Sequence, residues 1–204
     1  MVDTEEQQVE RIKEFWKEHG KGIVAGAVIG FGLFYGWRFY DQHTMEQQQL
    51  ASAKYEQLTT ALSEGSENAL VEAQSFVSDN SDNTYAHLVA LQLAKEAVSK
   101  DDLATAVTSL QLVVDNAEDN NIKALASIRL ARVLVAQDQA DIALELVRGS
   151  YPEAYQGYAA EIEGDILADK GQNEDARAAY QRALEADESL TPALQMKINS
   201  LAKS

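Results

Sequence analysis

The segment AAEIEGDILADKGQNEDARAAYQRALEAD, which starts at Ala159, constrains the fold more than any other part of the chain. Gly164 precedes Leu167 by three positions, Gly171 interrupts the helical pattern, and Ala176, Tyr180 and Ala183 follow as A-x-x-x-Y-x-x-A. Small, bulky and small side chains at helical spacing let two antiparallel helices interlock, the bulky group of one filling the space left by the small group of the other. The pattern returns upstream. Leu130, Ala131 and Leu134 precede Ala143 and Val147, and Leu93 and Ala94 precede Ala106, Leu110 and Val113. Ala73, Ala106, Ala143 and Ala176 are separated by 33, 37 and 33 residues. A recurrence of that length marks stacked two-helix units, each burying the face of its neighbour.

Between the periodic segments lie short breaks, at 65–66, 79–83, 100–102, 116–121, 137–140, 149–152, 170–173 and 188–191. They carry Asp, Asn, Ser or Gly, which cap helices and close turns. Pro152 and Pro192 suit first helical turns. Residues 41–204 therefore read as nine helices with no strand signal, and the fold class as all-α. The small–bulky–small hairpins resemble tetratricopeptide repeats, which implies a helical-hairpin solenoid with an extended concave face for protein segments. By repeat position that face carries Lys95, Arg129, Arg132, Tyr158, Glu161 and Asp165. A clamp for a chain-terminal carboxylate needs a Lys/Arg/Asn set; only Lys95 and Arg132 come close, and Asp165 stands at the corresponding place of the last repeat. The usual closing proline of the last repeat is replaced by Glu188, with Pro192 four residues later, so 191–203 reads as a separate helix or a cap.

Before the repeats, Gly22 to Trp37 is a run of 16 residues without a charge, and extension to Tyr40 gives 19. At a rise of ~1.5 Å per residue, these span about 28 Å, near the thickness of a bilayer hydrocarbon core. Trp16 and the group Tyr35, Trp37, Phe39 and Tyr40 supply aromatic belts at the two ends. The glycines do not form a nucleotide loop: the spacing G-x-G-x-x-x-G departs from the dinucleotide fingerprint, no Walker sequence is present, and no strand precedes the segment. Bulky residues fill LFYGWRFYDQ, where a signal peptidase requires small ones, so the stretch reads as an uncleaved signal anchor at 22–40. Arg11, Lys13, Lys17 and Lys21 precede it and only Arg38 lies near its far end, which places residues 1–21 in the cytoplasm and 41–204 outside, in the periplasm of a Gram-negative cell. Gly22, Gly26 and Gly30 fall four apart on one helical face, where a second membrane helix can approach closely; glycine is also common in single-span anchors.

Residues 4–19 form an amphipathic segment, with Thr4 and Gln7 at capping-box spacing and Val9, Ile12, Phe15, Trp16 and His19 on one stripe. Such a segment lies along the membrane surface or docks on a cytoplasmic partner. The second option carries an alternative function, an envelope stress-response regulator acting through this segment.

Charge removes whole classes of function. Residues 41–204 hold 12 basic and 27 acidic groups, a net of −15 within a total of −16. A domain so acidic repels nucleic acid phosphates. There is no cysteine, and the histidines His19, His43 and His87 show no metal-ligand spacing. No G-x-S-x-G nucleophile elbow occurs. No catalytic, cofactor or metal site is expected. The acids Glu161, Glu163, Asp165 and Asp169 crowd one helix, either as a groove for basic or unfolded clients or as a solvated face.

The whole order — charged start, glycine-rich anchor, degenerate hairpins ending in GQNEDARAAYQRALEAD — resembles the ancillary SecYEG translocon subunit (YfgM) family of Gram-negative inner membranes. The resemblance implies a non-enzymatic role beside the SecYEG translocon. It also implies partnership with a membrane-anchored periplasmic prolyl-isomerase-like chaperone, and transfer of emerging secretory or outer-membrane clients to periplasmic chaperones.

Overall fold

The computed structural model describes residues 5–201, with the side chains of 5–8, 12, 67 and 188 outside that description. Thr4 and the side chains of Gln7 and Ile12, which make up the capping pair and part of the stripe, thus lie outside that description. Two units divide the chain, Met1–Leu50 and Ala51–Ser204.

The first unit is formed by helix α1, Glu5–Ser63, which continues into the second unit without a break. Residues 5–63 contain no proline, and isolated glycines weaken a helix without ending it. Every side chain from Lys21 to His43 is exposed, Trp37 and Phe39 to 76%. A helix apolar all round is stable only in apolar surroundings, and α1 is long and apolar enough to span a membrane.

In the second unit the end of α1 is followed by α2 (Glu67–Asp79), α3 (Thr84–Ser99), α4 (Leu103–Asn116), α5 (Asn120–Ala136), α6 (Ala140–Val147), α7 (Glu153–Asp169), α8 (Asn173–Ala186) and α9 (Thr191–Leu201), the last entered through a 3-10 turn at Glu188–Leu190. No strand occurs among the described residues. The helices start where short polar side chains satisfy free backbone N–H groups: Asn83 accepts from Tyr85, Asp102 from Thr105, and Asp119 from Asn121 and Ile122. Pro152 stands just before α7, and Pro192 in the first turn of α9.

The four turns inside the hairpins share one geometry. Gly65, Asp101, Asp138 and Gly171 adopt positive φ of 76°, 60°, 61° and 73°. The residue after each donates to a carbonyl five positions back: Ser66 to Ala61, Asp102 to Ala97, Gln139 to Leu134 and Gln172 to Leu167. This is the left-handed C-cap that ends a helix and reverses the chain. Glycine adopts it without strain, and aspartate is among the few other residues that tolerate it.

The repeated alanines Ala73, Ala106, Ala143 and Ala176 are all fully buried. Tyr180 lies against Gly164 so closely that a Cβ there would sit 2.4 Å from the ring, so the α7–α8 interlock requires glycine. One core cluster runs from Leu58 through Leu93, Leu110 and Leu130 to Ile166; a second joins Leu167, Ala176, Tyr180 and Leu194. Each large side chain buried in this way contributes roughly 1.5–3 kcal/mol.

Candidate functional site

The first helices of successive hairpins, α3, α5 and α7, lie side by side. Their burial is periodic. On α5, Ala126, Ser127, Leu130, Ala131 and Leu134 are buried while Arg129 and Arg132 are exposed. Lys95 is exposed on α3 and Tyr158 on α7, with Glu161 and Asp165 half-buried one and two turns further on. Residues three or four apart share a helical face. The structure brings Arg132 and Glu161 together, Nη2 standing 4.0 Å from Oε2. Lys95 and Arg129 form no ion pair with a described residue.

Helix α9 supplies a residue that the repeat pattern did not single out, Lys197. Its Nζ donates to Glu161 Oε1 at 2.8 Å and to both oxygens of Asp165 at 2.7 Å. The ammonium also lies 5.8 Å from the centre of the Tyr180 ring, and the Tyr180 hydroxyl donates to Asp165 Oδ1 at 2.8 Å. Leu194, three residues before Lys197, is fully buried and fixes the helix. Segment 191–201 is therefore a cap tied to α7 and α8. Burial opposes the charge on Lys197, but the hydrogen bonds and charges of Asp165 and Glu161 outweigh it and hold its pKa above the ordinary lysine value. Burial, then the hydrogen bond to Asp165 and the surrounding carboxylates, push the Tyr180 phenol well above its ordinary value.

The acids of α7 do not form a single solvated face. Successive residues turn by 100°, so Glu163 points away from Glu161 and Asp165. It is 9% exposed and receives Arg148 Nε at 2.8 Å and Arg182. His87 is buried on α3 with Nε2 2.7 Å from the Ser81 carbonyl, tying down the preceding turn. His19 stacks on Phe15. Gly22, Gly26 and Gly30 lie on the exposed surface of α1, where an added Cβ would meet nothing within 4 Å beyond its own stretch of helix backbone.

Hairpins with this turn and this glycine–tyrosine interlock, preceded by a helix able to span a membrane, define a protein of the tetratricopeptide-repeat type with a candidate membrane span. A tetratricopeptide repeat-like domain family matches residues 13–203. The ancillary SecYEG translocon subunit of Escherichia coli is 37% identical over 206 residues, which cover 99% of this chain and 98% of the relative. The proteins of the same description from Aggregatibacter actinomycetemcomitans and Haemophilus influenzae are 31% and 30% identical, each covering 97% of both chains. The chain belongs to the ancillary SecYEG translocon subunit family. No solved structure matches it.

Proposed function

We propose that the protein is a non-enzymatic adaptor associated with the SecYEG translocon, anchored by residues 22–40 with its N-terminus in the cytoplasm and residues 41–204 in the periplasm. The repeat domain binds polypeptide on the face that carries Lys95, Arg129, Arg132, Tyr158, Glu161 and Asp165, and links emerging clients to periplasmic chaperones, including a membrane-anchored prolyl-isomerase-like partner. Membership of a family of translocon subunits carries this reading. The excess of Lys and Arg before the anchor supports the orientation. The α3–α5–α7 face supports the binding role, because solenoid repeats bind partners along such surfaces and their fold supplies no chemistry of its own. Gly22, Gly26 and Gly30 offer the bilayer-embedded part a close-approach strip for a partner helix; Gly26→Leu should then lose co-purification with membrane partners, and retention of those partners would reduce the stretch to a tether.

Photo-crosslinking from positions 132 and 158 in intact cells tests the adaptor role. Adducts with translocon subunits or with periplasmic chaperones are expected. Their absence from both positions, with the protein at normal abundance, overturns it.

A further inference from the structure

Arg148, at the C-terminal end of α6, and Arg182, on α8, converge on Glu163 from two sides. Each spends one donor there, Arg148 through Nε on Oε1 and Arg182 through Nη2 on Oε2. A guanidinium has five N–H donors in a planar fork, so both keep most of their hydrogen-bonding capacity. A single arginine bound through two parallel hydrogen bonds would neutralise the carboxylate. The second leaves one net positive charge, and both guanidinium side chains remain about half exposed, at 53% and 54%. Beside them opens a cavity of about 470 Å³, rimmed by Gly149, Ser150 and Gln156. Glu163 is the one carboxylate among its described lining residues. Within a domain of 27 acidic and 12 basic groups, this is a local reversal of sign.

We propose that this cavity binds a carboxylate of a polypeptide, a chain terminus or an acidic side chain, on the free edges of Arg148 and Arg182. The planar forks match a planar carboxylate. The volume leaves room for the adjoining backbone, whose amides meet Ser150 and Gln156. The occupant class rests on the reading that the repeat domain handles polypeptides. The site is separate from the α3–α5–α7 face: it lies across α7 from Lys197, and its loss leaves crosslinks from positions 132 and 158 in place.

The test uses the full-length protein in detergent and fluorescein-labelled hexa-alanine peptides, read by fluorescence anisotropy. One peptide ends in a free carboxylate, a second is amidated, and a third is amidated with one internal glutamate. The first or the third should bind at least tenfold more tightly than the second, and which of them does so identifies the source of the carboxylate. Arg148→Gln and Arg182→Gln should each weaken that binding about tenfold, as expected from losing a hydrogen bond to a charged group. Glu163→Gln removes the competing internal carboxylate and should tighten it about threefold or more; a purely structural clamp predicts no gain. Circular dichroism melts confirm that each variant is folded, and Arg182→Lys supplies a milder change should Arg182→Gln fail to fold. Equal binding of the three peptides, or carboxylate-dependent binding unchanged in both arginine variants, overturns the proposal.

Discussion

Helix α7 carries acids on opposite faces, and each face is neutralised differently. Toward α9, Glu161 and Asp165 share Lys197, with Arg132 at 4.0 Å from Glu161. Toward the other side, the nearly buried Glu163 takes two arginines. The first arrangement matches two acids with one lysine and one arginine; the second leaves a cation in excess beside a cavity. Burial alone does not separate the faces, because the side chains of Glu163 and Glu161 are 12% and 14% exposed and each needs close cationic partners. Asp165, with 43% of its side chain exposed, keeps part of its hydration. A repeat built for packing can thus present two unlike surfaces from a single helix.

Gly164 separates the two faces, and replacing it should have the largest effect. In Gly164→Ala the new methyl would stand 2.4 to 2.5 Å from two carbons of the Tyr180 ring. The ring is 2% exposed and cannot retreat to solvent without opening the α7–α8 interlock. Overpacking of this kind costs about 1–3 kcal/mol, and this site belongs at the upper end. Urea unfolding should show that loss, and crosslinking from position 132 should change with it, because Tyr180 also bonds Asp165. An unaltered midpoint would mean that α7 and α8 are not interlocked at this point.

The next effect compares the faces directly. Glu163→Gln should destabilise by about 1–2 kcal/mol, since two charge-assisted hydrogen bonds lose their charged acceptor while the half-exposed arginines recover hydration. Glu161→Gln should cost less, about 0.5–1 kcal/mol, because Asp165 still holds Lys197. Measured midpoints in the reverse order would break the assignment of the more heavily compensated acid to Glu163.

The sequence made the architecture legible because its signals are local and repeated. The eight breaks coincide with the turns of the second unit, and the recurring alanines mark buried helix contacts. Gly164 and Tyr180 were readable as an interlocking pair for the same reason. Two features escaped that reading. The breaks at 100–102 and 137–140 were legible as turns, but not that Asp101 and Asp138 there take the left-handed position held by glycine in the other two hairpins. Lys197 meets Asp165 and Glu161 across 32 and 36 residues, and no periodicity links a lysine on a capping helix to acids on the preceding hairpin. The division of the α7 acids was available from helical angle alone: Glu161 and Asp165 are four apart and share a face, and Glu163 between them cannot. What the angle does not give is which face is buried.

The smallest effect separates the two faces by pH. Lys197 has a folded pKa above the ordinary lysine value near 10.4, so its contribution is fully present below that value and is lost as pH rises through the folded pKa. Tyr180 acts in the same direction: its folded pKa is raised above the ordinary value of 10.0, the unfolded chain ionises first, and folding stability falls above about pH 10. The side of α7 that faces α9 should therefore weaken in alkali, while the Glu163 side carries neither of these groups. Amide hydrogen exchange, corrected for its intrinsic acceleration with pH, should show α9 losing protection as pH rises above about 10, before α6 does. Lys197→Met should flatten that dependence and leave α9 less protected at pH 7. Parallel loss of protection in α6 and α9, or an unchanged profile in Lys197→Met, would show that the lysine does not hold the cap and that the apolar contacts around Leu194 seat it.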